Sequence, residues 1–303
     1  MKLIFVLTNQ NNPQEWRFAM SEDLCSKDLG LDLPILRKWD LGWDLKSLRV
    51  IFSNAFFFSA TDSMLCNNRR VFIALSGGID SSYCVAALRM HLGNDCPIDT
   101  FTVGSSEQHP DVVHAKMVAE LFHTEPHCLI PTEKQVRQVD LIRTLHPELF
   151  AGDKGRSGYG VFLLMQSVKE YARRLSLSYS PALITHDGID ELLGGYWDHR
   201  KFKTQRETEK IFETLWRELP EKHLIPLKRK ADFHGVIPLH PYLHRSVVEY
   251  ISHIPVGERT SRKESKIPLR RLAERFLPRE IIERRKLGFC DAMESVAELE
   301  KRH

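Results

Sequence analysis

The sequence has no long hydrophobic run and no strong excess of one charge. Its apolar stretches are all shorter than the roughly 20 residues that a membrane-spanning helix needs. The N-terminal run in MKLIFVLTNQNN is too short and turns polar too soon for a signal peptide. The formal net charge is only +3, so the totals do not indicate a nucleic-acid partner. We therefore expect a soluble, cytoplasmic protein with no membrane partner.

Cysteine is scarce and scattered. The six cysteines do not cluster and form no C-x-x-C pair. A chain of 303 residues can bury a sizeable core without covalent cross-links. The pattern therefore favours reduced thiols over a disulfide framework, which agrees with a cytoplasmic location.

Basic residues are concentrated in one segment even though the whole chain is nearly neutral. Between Arg259 and Lys286, basic residues clearly outnumber acidic ones. One interpretation is the solvated face of a helix. The other is a basic wall beside a bound anion, and the segment alone does not decide between them.

Strand patterns and helix patterns alternate four times in the middle of the chain. The strands are expected within RRVFIALSGG, PIDTFTVG, EPHCLIP and SPALITHDG. This alternation predicts an α/β domain with a doubly wound parallel sheet. Beyond about Lys201 the sequence predicts helices and no strand. We expect an N-terminal segment over 1–66 that is hard to interpret, the α/β domain over 67–200, and a C-terminal helical region over 201–303 that completes the site.

Two of the predicted helices have recognisable starts. Asp111 lies near the start of the helix in HPDVVHAKMVAELFH, where the helix dipole favours a negative charge. Thr132 precedes TEKQVRQVDLIRTLH and can cap that helix.

The first predicted strand ends in a glycine turn, in the stretch VFIALSGGIDSS. Ligands of open parallel sheets bind beyond the carboxyl ends of the strands. Gly77 and Gly78 allow close approach to the N–H groups at a helix N-terminus, which together make an anion site. Asp80 would repel a phosphate directly, so its useful role is to hold Mg²⁺ that phosphates share. The alternative is a tight strand–helix turn with a capping Asp. The hydroxyl donors that the loop offers are Ser76, Ser81 and Ser82.

The spacing S-G-G-x-D-S differs from the Walker loop and from G-x-G-x-x-G. It resembles the pyrophosphate-binding loop of the N-type ATP pyrophosphatases, which include NAD synthetase, GMP synthetase, tRNA-modifying enzymes and asparagine synthetase. The resemblance implies the adenine nucleotide α-hydrolase-like fold and cleavage of ATP between its α and β phosphates. It also implies that Leu75 and Val103, at adjacent strand ends, lie where the family holds adenosine through backbone groups.

Two further segments resemble the synthetase domain of asparagine synthetases. ITHDGIDELLGGYWDH is similar to its S-G-[DE]-G-x-D-E-[LVF]-F-G-G-Y segment. KIPLRRLAERFLPREIIERRKLGF is similar to its C-terminal K-x-x-L-R segment. Asp190 would stand at a neighbouring strand end and could share Mg²⁺ with Asp80, because both would lie at the mouth of the sheet. The resemblance implies the same shared ion. It further implies that Asp187 faces the amine or carboxylate being joined, and that Lys286 contacts phosphate and the intermediate.

The sequence departs from the family pattern in three segments. Lys2 stands where glutamine-using members have a cysteine nucleophile, so we expect the glutaminase domain to be missing. Thr185 and His186 replace the Ser-Gly pair of the family pattern. Both are expected to contact the nucleotide, and the His186 side chain would fill space beside it. In PYLHRS, His244 replaces the Asp of the family's P-F-L-D. These changes put asparagine itself in doubt as the product.

The resemblance predicts an ATP-dependent, AMP-forming amide ligase that uses ATP and Mg²⁺. It would adenylate a small-molecule carboxylate and transfer ammonia or another amine to it. The nitrogen could also come from a separate glutamine amidotransferase subunit. One alternative is an enzyme that adenylates a nucleobase or tRNA, and another is a nucleotide-binding subunit without turnover.

Overall fold

The computed structural model describes residues 42–153, 156, 158–201, 204–284 and 293. Within these ranges the chain forms a five-stranded sheet in the order β3-β2-β1-β4-β5, with every neighbouring pair parallel. The strands are β1 (Val71–Ala74), β2 (Ile98–Val103), β3 (Glu125–Leu129), β4 (Ala182–Ile184) and β5 (Ile237–Leu239).

Helices connect the strands and make up most of the rest of the described chain. The helices of the α/β part are α1 (Leu45–Cys66), α2 (Ile79–Leu92), α3 (Pro110–Leu121), α4 (Glu133–Leu145), α5 (Tyr159–Arg174) and α6 (Ile189–Leu193). Those that follow are α7 (Gln205–Leu219), α8 (Ile225–His234), α9 (Arg245–Ser252), α10 (Val256–Arg259), α11 (Ile267–Ala273) and α12 (Arg279–Glu283). The doubly wound parallel sheet predicted from the alternation is therefore confirmed.

The fifth strand corrects the expectation that no strand follows Lys201. β5 is short and contains Pro238, which cannot donate a ladder hydrogen bond. The edge position makes this possible, because Ile237 N–H donates to Pro181 and the carbonyl of Leu239 accepts from Thr185, while Pro238 needs no donor. A three-residue strand with a proline at its centre gives no strand pattern in the sequence.

Both faces of the sheet are covered by apolar side chains, as the unbroken apolar runs predict. On one face, Phe72 and Phe101 belong to the same core cluster as Phe162 and Leu163 of α5. Near α1 and α2, four aromatic rings pack with centroid separations of 5.2–6.1 Å. They are Phe52, Phe56, Tyr83 and Tyr242. Full burial of such side chains contributes about 2–3 kcal/mol each.

Helix α1 is fixed to the sheet by buried hydrogen bonds. The side-chain amide of Asn67 donates to the carbonyl of Ala182 at 2.7 Å and accepts from the Ala182 N–H at 2.9 Å. The hydroxyl of Ser63 accepts from the N–H of Phe72 at 3.0 Å. These contacts satisfy backbone groups at the start of β1 and β4 that would otherwise be buried without partners. The division of the chain at residues 66 and 200 stays a prediction.

The local signals at two helix starts are confirmed. Thr132 and Gln135 form a reciprocal capping box at α4, and Asp111 lies in the first turn of α3. The four cysteines in the described part of the chain are free thiols. Over the same residues, no helix has the length and apolarity to cross a membrane.

Replacing Asn67 with Ala should lower the free energy of unfolding by about 2 kcal/mol, because the buried N–H of Ala182 loses its partner, while the carbonyl keeps the Ser63 hydroxyl. Urea denaturation followed by circular dichroism measures the change. Asn54→Ala, on the exposed side of the same helix, should stay within about 0.5 kcal/mol of the unsubstituted protein. Equal stabilities for the two variants would contradict this role for Asn67.

Candidate active site at the carboxyl edge of the sheet

The glycine turn joins β1 to α2 at the carboxyl edge of the sheet. Gly77 has φ +67°, and a Cβ there would lie 2.4 Å from the carbonyl carbon of His114 and 2.5 Å from the nitrogen of Ala115. Only glycine allows both the conformation and this approach to α3. The loop therefore leads directly into the N-terminus of α2, where N–H groups and the helix dipole favour an anion.

Two of the predicted hydroxyl donors hold the loop in shape. Ser81 Oγ accepts from the N–H of Ser76 at 3.3 Å and donates to the carbonyl of Gly78 at 3.2 Å. Ser76 Oγ accepts from the N–H of Gly78 at 3.3 Å. Ser82 is fully buried, and within the described ranges its hydroxyl has no hydrogen-bond partner. Its burial counts against a direct contact with phosphate, which stays a prediction for all three serines.

Asp80 and Asp190 come from different crossover units and meet at one cation. Lys266 Nζ lies 2.5 Å from Asp80 Oδ2 and 2.7 Å from Asp190 Oδ1. The two aspartates stand in the first turns of α2 and α6, which follow the neighbouring strands β1 and β4. Since the direction of the strand order reverses between these strands, the cluster lies where open α/β sheets bind ligands.

The backbone of Lys266 fixes its position, and the missing side chain of Gly195 leaves room for it. It is 3% exposed, has φ +54°, and donates its N–H to the carbonyl of Leu193 at 3.2 Å. A Cβ on Gly195 would lie 1.7 Å from Asp190 Oδ1 and 2.6 Å from Lys266 Cε. Burial acts to lower the pKa of Lys266, but the ion pairs with Asp190 and Asp80 outweigh it and the pKa is raised. The lysine is therefore charged at neutral pH.

Sequence reasoning missed the role of Lys266. This residue opens the quoted segment KIPLRRLA, so the signal was the first lysine of the K-x-x-L-R pattern. Nothing local in the sequence marks it as buried or left-handed. Lys286, which was assigned to the phosphate, lies outside the residues that the structure describes.

The acidic residues of the cluster fit a magnesium ion only if phosphate helps to hold it. Asp80 Oδ1 is buried and has no hydrogen-bond partner in the described part of the chain. Carboxylate oxygens suit Mg²⁺, which usually takes one or two of them together with substrate phosphates. No group of three or more His, Cys, Asp or Glu side chains that could hold a metal ion occurs among the residues described. Asp80 and Asp190 thus fit an ion that arrives with a nucleotide.

Asp187 lies in a second polar cluster at the ends of β4 and β5. Its Oδ2 accepts from the Thr185 hydroxyl at 2.8 Å and lies 3.2 Å from His240 Nδ1. Thr185 Oγ1 is also 2.7 Å from that ring nitrogen. Burial acts to raise the pKa of Asp187, but the hydrogen bonds and charge of His240 outweigh it and lower the pKa. Asp187 therefore stays ionised at neutral pH, and its partner His240 was not identified from the sequence.

His186 connects the ends of β4 and β1. Its Nε2 lies 2.8 Å from the carbonyl of Ala74, and its ring packs edge-on against Tyr242 at 6.0 Å. A carbonyl only accepts hydrogen bonds, so Nε2 carries the proton. Burial lowers the pKa of His186, which keeps the ring neutral and leaves Nδ1 an acceptor. His186 thus fills space between the ends of β4 and β1 at a position where the family pattern has glycine.

Leu75 and Val103 lie at adjacent strand ends, but the backbone groups of Leu75 are already used. Its N–H donates to Phe101 at 2.8 Å, and its carbonyl accepts from the Thr102 hydroxyl at 2.5 Å. The carbonyl has a second lone pair, whereas the N–H is not available to adenosine. Contact of either residue with a nucleotide stays a prediction.

Some basic side chains of the segment between Arg259 and Lys286 are buried. Arg259 is buried and donates to the carbonyls of Ile254 and Ser252, and burial lowers its pKa to about 10. Lys266 faces the acidic pair. These contacts argue against a fully solvated helical face, whereas a wall beside a bound anion stays a prediction.

Replacing Lys266 with Met leaves two largely buried carboxylates, 18% and 14% exposed, without their shared cation. The free energy of unfolding near neutral pH should fall by about 3 kcal/mol. The pKa of the unpaired carboxylates should rise, so stability should recover as the pH is lowered and they bind protons in the folded state. Urea denaturation at several pH values measures both effects. Lys263→Met, at an exposed neighbouring position, is the matched control; a pH dependence equal to that of the control would contradict the cluster.

The chain is similar to known proteins along most of its length. The family model described as asparagine synthase matches residues 57–235 and 200–302. The glutamine-hydrolyzing asparagine synthetase of Mus musculus is 28% identical over 266 residues, covering 84% of this chain and 45% of that protein. The corresponding protein of Gallus gallus is 30% identical over 267 residues, with the same coverage of 84% and 45%.

The chain therefore spans less than half the length of the curated relatives that it matches. Among solved structures, an NMN synthetase from Francisella tularensis aligns over 70% of this chain and 94% of its own, with 16% identity and a TM-score of 0.35. The family match includes the glycine turn, both aspartates and Lys266. This protein belongs to the asparagine synthase family.

Proposed function

We propose that this protein is an ATP-dependent, AMP-forming ligase that joins a small-molecule carboxylate to ammonia or another amine. The observation that carries the proposal is the convergence of Asp80 and Asp190 on buried Lys266, beside a glycine turn at the switch point of the sheet. Membership of the asparagine synthase family supports the same reaction class.

In this proposal the β and γ phosphates of ATP bind the loop over 76–82 and the N-terminus of α2. Gly77 and Gly78 let the phosphates approach the backbone, and the helix dipole adds attraction. Asp80 and Asp190 would hold Mg²⁺. When bound, that ion neutralises phosphate charge.

In the first step, a carboxylate oxygen of the substrate attacks the α phosphorus of ATP. The bond from that phosphorus to the bridging oxygen breaks, which gives an acyl-adenylate and pyrophosphate. Lys266 is placed to neutralise charge on the departing pyrophosphate, since its ammonium lies beside Asp80 at the start of α2. Lys286 is proposed for the same task.

In the second step, the amine attacks the acyl carbon, the bond to AMP breaks, and the amine nitrogen loses a proton to water or to the phosphate of the departing AMP. Two roles are open to Asp187 in this step, that of a base and that of a positioning group. Its lowered pKa and its bond from Thr185 support positioning, because an ionised, hydrogen-bonded carboxylate attracts an ammonium but is a weak base. Thr185 and His186 would shape the pocket beside the nucleotide.

The nitrogen source in this proposal is free ammonia, another amine, or ammonia from a separate glutamine amidotransferase subunit. The matched relatives are named as glutamine-hydrolyzing, and this chain spans less than half their length. A partner that supplies ammonia would complete the activity that their names describe.

A pyrophosphate-release assay with a panel of amino acids and other carboxylates, with and without ammonia, tests the proposal. At least one carboxylate should give release, with an amide and AMP identified by mass spectrometry. Asp80→Asn should reduce release by at least about 100-fold while the protein stays folded by circular dichroism. Asp95→Asn, at an exposed position, should keep full activity.

Three outcomes would count against the proposal. Full activity of Asp80→Asn would show that the acidic cluster is not the site. ATP binding without release for any carboxylate would instead favour a nucleotide-binding subunit. Salt-sensitive RNA binding would favour adenylation of a nucleobase or tRNA.

A further inference from the structure

The segment Ser265–Arg284, here called the C-terminal strap, contacts both ends of the loop over 76–82. At one end, Lys266 binds Asp80. At the other, Arg284 donates from Nη1 to the carbonyl of Ser76 at 2.5 Å. The loop is therefore fixed by side chains from a distant part of the sequence as well as by its own serines.

Arg284 is a buried cation with two partners of different kinds. Its side chain is 7% exposed, and its Nη2 donates to Asp111 Oδ1, which is equally buried. The ion pair neutralises the guanidinium and orients its planar fork, so that another N–H is directed at the Ser76 carbonyl. Asp111 lies in the first turn of α3, the helix against which Gly77 packs.

The contact with Ser76 sets the orientation of a peptide group in the loop. The chain has no cis peptide bond over the described residues, and in a trans peptide the carbonyl and the N–H point in opposite directions. Since Arg284 holds the Ser76 carbonyl on its side, the N–H of Gly77 points away from Arg284. No hydrogen bond within the described part of the chain uses this N–H, whereas those of Ser76 and Gly78 have hydroxyl partners.

The two contacting ends of the strap are also tied to each other. Arg270 donates from Nε to the carbonyl of Ser265 at 2.7 Å and from Nη1 to the carbonyl of Ile282. Ser265 directly precedes Lys266, and Ile282 lies two residues before Arg284. A displacement of Arg284 would therefore be transmitted towards the acidic cluster.

We propose that Arg284, held by Asp111, is a positioning residue that presents the Gly77 N–H to the pyrophosphate part of ATP. The inference rests on the proposed function, because it assumes that this loop binds the β and γ phosphates. Arg284 contacts only the carbonyl side of the peptide. It acts on the nucleotide through the loop and contributes no direct contact.

Calorimetric titration with Mg·ATP, inorganic pyrophosphate and adenosine tests the role. Arg284→Ala should weaken ATP and pyrophosphate binding by at least about tenfold, because the peptide loses a charge-assisted hydrogen bond. Adenosine binding should stay within about twofold, since Arg284 does not set the nucleoside end. Arg284→Lys should bind ATP and pyrophosphate with an affinity between those of the unsubstituted protein and Arg284→Ala, because one ammonium cannot reproduce the planar fork of the guanidinium.

Asp111→Asn should weaken the same ligands, and the double variant Arg284→Ala with Asp111→Asn should be no weaker than Arg284→Ala alone, as expected for residues acting as one unit. Arg279→Ala is the matched control, because Arg279 is exposed and pairs only with Glu283 in the described ranges. It should bind all three ligands like the unsubstituted protein. Thermal unfolding shows which variants are folded, and Arg284→Lys and Asp111→Asn carry the test if the Ala variant does not fold.

Unchanged ATP affinity in the folded Arg284 variants would overturn the inference while leaving the proposed function intact. Parallel losses for ATP and adenosine would also overturn it, since they indicate a general structural role. Absence of ATP and pyrophosphate binding in the unsubstituted protein would instead refute the proposed function, and the inference with it.

Discussion

The structure of the site depends on one buried ammonium placed between two carboxylates. Three charges largely shielded from water are tolerated only if they are paired closely, because full desolvation of a charge costs several kcal/mol. Lys266 meets this requirement with both Asp80 and Asp190. The pairing constrains its surroundings, since Lys266 adopts a left-handed backbone conformation and Gly195 leaves no room for a side chain.

The order of the strands makes this pairing possible. β1 and β4 are far apart in the sequence but are hydrogen-bonded neighbours, so the first turns of α2 and α6 open at the same edge. The helical C-terminal region then supplies Lys266 and Arg284 to this edge. The sheet thus brings the glycine turn and the acidic side chains to one edge, and the C-terminal strap provides the opposing positive charge.

Most of the sheet and the location of the site were predictable from the sequence, because buried parallel strands and a glycine turn leave strong local patterns. Strand β5 could not be predicted from the sequence, because Pro238 is compatible only with an edge strand and the sequence does not reveal which strand lies at the edge. The convergence of Asp80 and Asp190 followed from the strand-end argument. The pairing of Lys266 with the two aspartates and of His240 with Asp187 could not be predicted, since these contacts come from long-range packing rather than from neighbouring residues in the sequence.

The serines of the loop show the same limit of local reasoning. Ser76, Ser81 and Ser82 look equivalent as donors in the sequence. The first two bond within the loop, whereas the buried hydroxyl of Ser82 has no hydrogen-bond partner among the described residues. Similarly, Asp187 sits in the expected turn, but its protonation depends on His240 from another strand end. Residue type and spacing indicate where the candidate site lies, whereas tertiary contacts determine what each side chain can do there.

The most direct test is a crystal structure with Mn²⁺ and an ATP analogue whose α–β bridge is a methylene group, with the ion located by anomalous scattering. We predict one Mn²⁺ bound jointly by Asp80, Asp190 and phosphate oxygens, with Lys266 against the phosphates and the β and γ phosphates over Gly77 and Gly78. An ion that contacts neither aspartate, or a triphosphate bound away from this loop, would contradict a site in which Asp80 and Asp190 share one metal ion.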